Sequence, residues 1–171
     1  IEIIDSTRPG QNVRKKGQDF IHNDPLMESG QDLTIRDVGL AVAAGITKVE
    51  VRKKPRVGVL FTGNELVNPN TIPKPNQIIN SNGPLINLLI ESSGGIPIDL
   101  GILPDDPKAL ATVSSSIDNI DLFITVGGAS VGKYDLIQTE LSKSGLQIDF
   151  WKVALRPGKP LIYGSYNNIP M

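Results

Sequence analysis

Residues 121–135 read DLFITVGGASVGKYD. Five apolar or β-branched residues run into two adjacent glycines, a serine, a third glycine and an acid. The apolar run reads as a buried strand. Its glycine-rich exit admits two readings: a tight turn, or a ligand cradle at the carboxyl end of a parallel sheet. The sequence on either side supports a sheet. VGVLF (57–61) is a second short, continuous apolar strand, and IPIDLGI (96–102) a third. Between them Asn82 is placed to cap a helix over 83–93, with Leu85, Leu88 and Leu89 on one face and Gly94 and Gly95 ending it. Asp106 caps another helix that begins at Pro107, and 135–143 follows the glycine loop as a further one. IDFWKVAL (148–155) and LIY (161–163) complete the set. Strands alternating with short helices predict an α/β fold: a parallel sheet in a three-layer αβα domain over 55–171. Such sheets bind ligands outside the carboxyl ends of their strands.

Residues 1–54 differ in texture. They are polar and irregular and carry GQD twice, at 17–19 and 30–32, which is too few copies for a repeat array. The pattern predicts a partial β-rich segment with one helix. Thr34 caps IRDVGLAVAAG, Asp37 stands at its third position and Gly45 closes it. Alternating apolar and basic residues over 48–52 predict a strand. Both ends of the 171-residue chain read as cut from a longer polypeptide.

Bulk chemistry narrows the function classes. With 17 basic and 18 acidic residues and a net charge of −1, the chain has no general field to draw nucleic acid or an anionic membrane. No run approaches the ~20 apolar residues of a membrane span, and the first residues lack the pattern of a signal peptide. With no cysteine, disulfides, thiolate nucleophiles and cysteine metal sites are excluded. A cytoplasmic location is the expectation.

Three predicted strand exits carry acids: TGNEL (62–66), LPDD (103–106) and GGASVGKYD (127–135). Glu65, Asp105 and Asp135 would converge in a parallel sheet, and converging carboxylates repel unless a cation stands among them. Mg²⁺ is the natural guest beside phosphate. Gly127, Gly128, Ser130 and Gly132 would offer close backbone approach, a hydroxyl and N–H groups at a helix start. A basic counterpart lies in WKVALRPGKP. Lys152 and Arg156, four apart, would share one face of a strand, and Lys159 follows the Pro157–Gly158 turn. His22, the one histidine, reads as scaffold, Trp151 as packed inward, and Asp99 and Asp118 as surface or capping residues. The Pro- and Asn-rich loop 67–78 reads as a lid or a mobile connection.

TGNEL, INSNGPLINLLIESSG, LPDD, VGGASVGKYD and KVALRPGKP, in that order, resemble the motifs of the MoeA family of molybdopterin molybdenumtransferases, which includes the gephyrin E-domain. The amino-terminal KKGQDF and GQDLTIRDVGLAVAAG resemble the stretch that precedes that domain. The resemblance implies a MogA/MoaB-like core and a reaction in which adenylylated molybdopterin and molybdate give molybdenum cofactor and AMP, with Mg²⁺. It implies that Glu65, Asp105 and Asp135 are cleft acids and metal ligands, and that Lys152 and Arg156 are a catalytic basic pair. By the same resemblance Asp19, Thr62, Gly63, Asn82, Gly127, Gly128, Ser130, Gly132, Pro157, Gly158 and Lys159 contact ligand. It also implies a homodimer whose subunits share the cleft, and a MogA-type adenylyltransferase as a partner. Asn64 stands where the family commonly has Asp, and Lys133 where an acid is frequent. Two rivals are a molybdopterin adenylyltransferase, against which GGASVG followed by RPGKP argues, and a non-catalytic scaffold dimer.

Overall fold

The strand β1 (Arg56–Thr62) is buried at every position after the first, and its alternation explains the architecture. Val57, Val59 and Phe61 face one side and pack with Ile90. Leu60 faces the other and packs with Leu110, Val113, Phe123, Leu141 and Tyr166. A strand buried on both faces needs cover on both, which is the parallel-sheet condition. The structure, a computed structural model, describes residues 6–113, 117–127 and 136–171. It divides into two compact units, Ile1–Arg52 and Lys53–Met171.

In the second unit β1 is the centre of a three-stranded parallel sheet. It is flanked by β4 (Ile96–Leu103) and β5 (Leu122–Val126), in the order β4-β1-β5. Two short strands, β2 (Leu66–Val67) and β3 (Ile78–Ile79), pair in parallel and close the base of the long loop between them. The helix α2 (Asn82–Ser92) supplies Ile90 to one core cluster. The helices α3 (Pro107–Ala111) and α4 (Leu136–Lys143) supply Leu110 and Leu141 to the other. The sheet is therefore sandwiched, as the strand–helix alternation predicts. An antiparallel sheet is added at the end: β6 (Leu146–Trp151), β7 (Ile162–Tyr166) and β8 (Ile169–Pro170), in that order. Tyr166 is fully buried in β7, and its hydroxyl is bonded to Ser144 Oγ at 3.0 Å. That bond satisfies the one polar atom the ring carries into the core.

Several local readings need correction. Asn82 does not cap α2: Ser81 occupies that position without a side-chain bond. The buried Asn80 instead accepts the Gly83 N–H at 3.1 Å. Leu85, Leu88 and Leu89 share a face, but that face is exposed. Ile86 and Ile90, with Gly83, turn toward the core. The strand over 148–155 stops at Trp151, because Lys152 takes φ +72°, outside extended geometry. Trp151 is more than a third exposed, with Lys152 Nζ 4.0 Å from its ring centre, rather than packed inward.

Among its described residues the first unit holds one helix, α1 (Ile35–Ala43). Thr34 Oγ1 accepts the Asp37 N–H, and Asp37 Oδ2 accepts the Thr34 N–H at 2.7 Å, a reciprocal cap. At the other end Ile46 N–H reaches Ala41 O and Gly45 N–H reaches Val42 O, with Gly45 at φ +80°. The strand expected over 48–52 is not formed, and the described residues of this unit contain no strand where a β-rich segment is expected. A strand needs a neighbour for its N–H and C=O groups, and none of these residues provides one. No helix among the described residues is long and apolar enough to cross a membrane.

The α1 cap is titratable. The Thr34 hydroxyl, and then its backbone N–H, hold the Asp37 carboxyl below the ordinary aspartate value. The ionised form is the one that accepts these bonds. The cap's contribution is therefore complete above the usual aspartate range and is lost as pH falls through the lowered pKa. Circular dichroism should show an acid step in helicity that Asp37→Asn removes.

Candidate active site

Parallel pairing brings three strand exits to one edge. Thr62 is in register with Leu103 and Phe61 with Val126. The chain thus leaves the sheet at Gly63, Pro104 and Gly127 within a residue of one level. Gly63 N–H still donates to Leu103 O at 3.2 Å, extending the ladder one step beyond β1. Asn64 Oδ1 then accepts the Asp105 N–H at 3.2 Å, a side-chain bridge between the exits of β1 and β4. An aspartate there would keep that acceptor, so Asn64 differs from the family pattern in charge and not in this bond.

Glu65 is held through its backbone: its carbonyl accepts the Ile78 N–H at 2.8 Å, tying the turn to the β2–β3 pair. Its carboxylate folds back over the exit, since a Cβ built on Gly63 would lie 2.8 Å from Glu65 Oε2. Glu65 and Asp105 are thus exposed acids on neighbouring exits, one covalent step from a shared bridge. Asp106, beside them, is committed elsewhere: its Oδ2 accepts the Ala109 N–H at 3.3 Å as the cap of α3.

Gly127 and Thr62 meet at the third exit. Gly127 has φ +109°, and a Cβ there would overlap the Thr62 carbonyl oxygen and lie 2.8 Å from Thr62 Oγ1. Thr62 is 4% exposed. Its hydroxyl has no hydrogen-bond partner among the described residues. A buried hydroxyl without a partner is costly, and this one lies at the carboxyl end of the central strand.

A family model described as a probable molybdopterin binding domain matches residues 58–169. The chain belongs to that family. Two curated relatives, both molybdopterin molybdenumtransferases, bear out the resemblance read from the five motifs. The Haemophilus influenzae protein is 39% identical over 98% of this chain and 42% of its own length. The Nostoc sp. protein is 34% identical over 98% of this chain and 39% of its own. The crystal structure of the molybdopterin biosynthesis moeA protein from Pyrococcus horikoshii superposes with a TM-score of 0.81 at 34% identity, covering 98% of this chain and 42% of that one. The chain spans about two fifths of the length of these relatives.

Within this domain, Glu65, Asp105, Thr62, Gly63 and Gly127 come to one sheet edge. Gly128, Ser130, Gly132, Lys133 and Asp135 lie outside the described residues. Asp19 belongs to the other unit, where it pairs with Arg14 Nη1 at 3.0 Å, both side chains exposed. Asn82 stands in the first turn of α2.

The basic residues are arranged differently from the expectation. Lys152 and Arg156 do not share a strand face, because β6 ends before them. They lie with Pro157, Gly158 and Lys159 in a loop whose strands are closed by Lys152 N–H to Leu161 O at 2.7 Å and Val153 N–H to Lys159 O at 3.1 Å. Among the described residues no ion pair joins these cations to Glu65 or Asp105. Sequence reasoning missed Asn80. Asn80 is a buried amide two residues before the expected cap, and nothing in an Asn-Ser-Asn run says which asparagine meets the helix start.

Left-handed backbone at a residue with a side chain costs about 1–2 kcal/mol, and Lys152 carries this cost at φ +72°. Lys152→Gly should raise the unfolding free energy by about 1 kcal/mol, while Lys152→Ala should leave it near wild type. Denaturant titration of the two variants checks this. Ligand affinity, if it depends on the ammonium, should fall about tenfold in both.

Proposed function

We propose that this chain is the substrate-binding core of a molybdopterin molybdenumtransferase. It would act in molybdenum cofactor biosynthesis by inserting molybdenum from molybdate into adenylylated molybdopterin and releasing AMP. The observation that carries the reading is the sheet edge: two exposed acids on bridged exits, beside a buried Thr62 hydroxyl that has no hydrogen-bond partner among the described residues. The substrate brings its own sulfur ligands for molybdenum, in keeping with a chain that has no cysteine.

The chemistry then asks the protein to bind, orient and neutralise, with no side-chain nucleophile. Molybdate and the pyrophosphate of the substrate are anionic, which suits Lys152, Arg156 and Lys159. Arg156 can clamp an oxyanion with two N–H groups, whereas the lysines act as point charges. Ser130 and the backbone of Gly127, Gly128 and Gly132 are assigned to the ligand's phosphate end, and Thr62 Oγ1 would donate to an acceptor brought to the Gly127 exit.

The residues present fit Mg²⁺. No group of three His, Cys, Asp or Glu residues among those described is placed to hold a metal alone. Mg²⁺ seldom needs one, since it is commonly bound by one or two carboxylates together with waters and substrate phosphates. Glu65 and Asp105 would hold it, with Asp135 as a third acid, and when bound it would neutralise charge on the pyrophosphate. We further assign the protein to the cytoplasm, to a homodimer sharing the cleft through Asp19, and to a MogA-type adenylyltransferase as the supplier of its substrate.

The full-length polypeptide, given adenylylated molybdopterin, molybdate and Mg²⁺, is expected to release AMP in step with cofactor formation. AMP release no greater than the no-enzyme control rejects the reading. ATP-dependent adenylylation of molybdopterin by this protein would replace it with the adenylyltransferase.

A further inference from the structure

The turn that carries Glu65 is held by hydrogen bonds rather than by packing. Just beyond the end of β1, Leu66 N–H closes that turn on Gly63 O at 3.2 Å. The β2–β3 pair then takes over. Glu65 O accepts the Ile78 N–H at 2.8 Å, and Val67 O accepts the Asn80 N–H at 2.9 Å. Burial does little for β3, since Ile78 and Ile79 are 57% and 43% exposed. Among the described residues the backbone bonds of the long loop between the two strands are local, Thr71 N–H to Asn68 O and Gln77 N–H to Lys74 O. A short strand pair at the base of such a loop is marginal by itself. It needs an anchor in the core.

Asn80 supplies that anchor. It is 6% exposed, and its Oδ1 accepts the Gly83 N–H at 3.1 Å. Gly83 lies in the first turn of α2, where an N–H has no partner within the helix. One residue thus spends its backbone N–H on β2 and its side chain on α2. The helix is in turn fixed to the central strand, because Ile90 packs with Val57, Val59 and Phe61. Glycine at position 83 admits the amide: a Cβ there would lie 3.1 Å from Asn80 Nδ2 and 3.7 Å from Phe61 Cε2. An aliphatic side chain in place of Asn80 would leave the Gly83 N–H unpaired in the interior.

We propose that Asn80 is a positioning residue for Glu65. It ties β3 to α2, and β3 holds the Glu65 carbonyl so that the carboxylate stays over the β1 exit. The use of Glu65 on a cation rests on the molybdenumtransferase reading; the brace itself does not.

The full-length protein is compared with Asn80→Ala, Asn80→Asp and Ile90→Val. Aspartate keeps a capping acceptor at the same reach. Ile90→Val loosens the same core cluster without touching the brace. Loss of one cap is tolerated by a folded domain, and thermal melts of all three verify this. Hydrogen–deuterium exchange over 65–67 and 77–79 reads the brace without any activity. Asn80→Ala is expected to speed exchange there about fivefold or more, with Asn80→Asp within about twofold of wild type and Ile90→Val unchanged. The Mg²⁺ dependence of AMP release reads the consequence. Asn80→Ala should need about fivefold more Mg²⁺ for its half-maximal rate, keep its rate at saturating Mg²⁺ within about twofold, and add nothing once Glu65 is Gln. The proposal is overturned if exchange in Asn80→Ala matches wild type or if Ile90→Val speeds it equally. It is also overturned if the Mg²⁺ requirement of an active protein stays unchanged, or rises as much in the Glu65→Gln background. Exchange that responds as expected in a protein that releases no AMP keeps the brace and rejects the enzymatic reading.

Discussion

Gly127→Ala should lower the unfolding free energy by about 3 kcal/mol. Two costs coincide at this position. The backbone sits at φ +109°, where a side chain is strained, and the new methyl would overlap the Thr62 carbonyl oxygen. That oxygen belongs to the central strand, so it cannot swing aside as a flexible side-chain tip would. Relief requires the exits of β1 and β5 to separate, which would also disturb the edge where Thr62 Oγ1 lies. A urea titration measures the first effect, and loss of ligand binding under conditions where the variant is still folded measures the second. A stability change under 0.5 kcal/mol would show that the contact is slack. Thr62→Val provides the opposite test. It removes the buried hydroxyl that has no partner among the described residues, so the ligand-free domain should gain about 1 kcal/mol. If that hydroxyl serves a ligand, affinity should fall in the same variant. A residue that weakens the empty fold while strengthening the complex is the usual mark of a functional position.

What could be read from the sequence, and what could not, follows from the range of each interaction. β1, β4 and β5 were legible because continuous apolar runs with glycine or acid exits have few other uses. The α1 cap was legible because Thr34 and Asp37 are three residues apart and need nothing from the rest of the molecule. The same holds for Asp106 and Pro107 at the start of α3. Failures came where a local pattern depends on a distant partner. The alternation over 48–52 has the period of a strand, but pairing needs a neighbour that the described residues of the first unit do not supply. The four-residue spacing of Lys152 and Arg156 puts them on one face only if the chain stays extended, and Lys152 turns left-handed instead. Leu85, Leu88 and Leu89 look like a core stripe, yet the stripe facing the sheet is Gly83, Ile86 and Ile90. At the site the acids of the exits were visible in sequence. The Asn64–Asp105 bridge was not, because it spans 41 residues and exists only once β1 and β4 are in register.

The adjacent pair Asp105 and Asp106 offers a separation of structure from chemistry within one turn. Asp106 caps α3 through the Ala109 N–H, so Asp106→Ala should cost about 1 kcal/mol of stability. AMP release should remain within about twofold, since the cap touches no other part of the edge. Among the described residues Asp105 is held only through its backbone N–H, which donates to Asn64 Oδ1. Asp105→Asn keeps that bond and the side-chain shape while removing one charge. Its stability should therefore match wild type, while AMP release falls about 100-fold or more, the usual scale for a lost charge at a reacting pyrophosphate. Raising Mg²⁺ should recover part of the Asp105→Asn loss if the carboxylate binds the cation, because weakened metal affinity is offset by concentration. It should do nothing for Asp106→Ala. Equal activity loss in the two variants would mean that the β4 exit matters only as a scaffold, and the acid at position 105 would lose its assigned role. Glu65→Gln should then be compared in the same assay. The two acids leave neighbouring strands joined by one bridge, so a shared cation predicts non-additive losses: the double variant should be little worse than either single one.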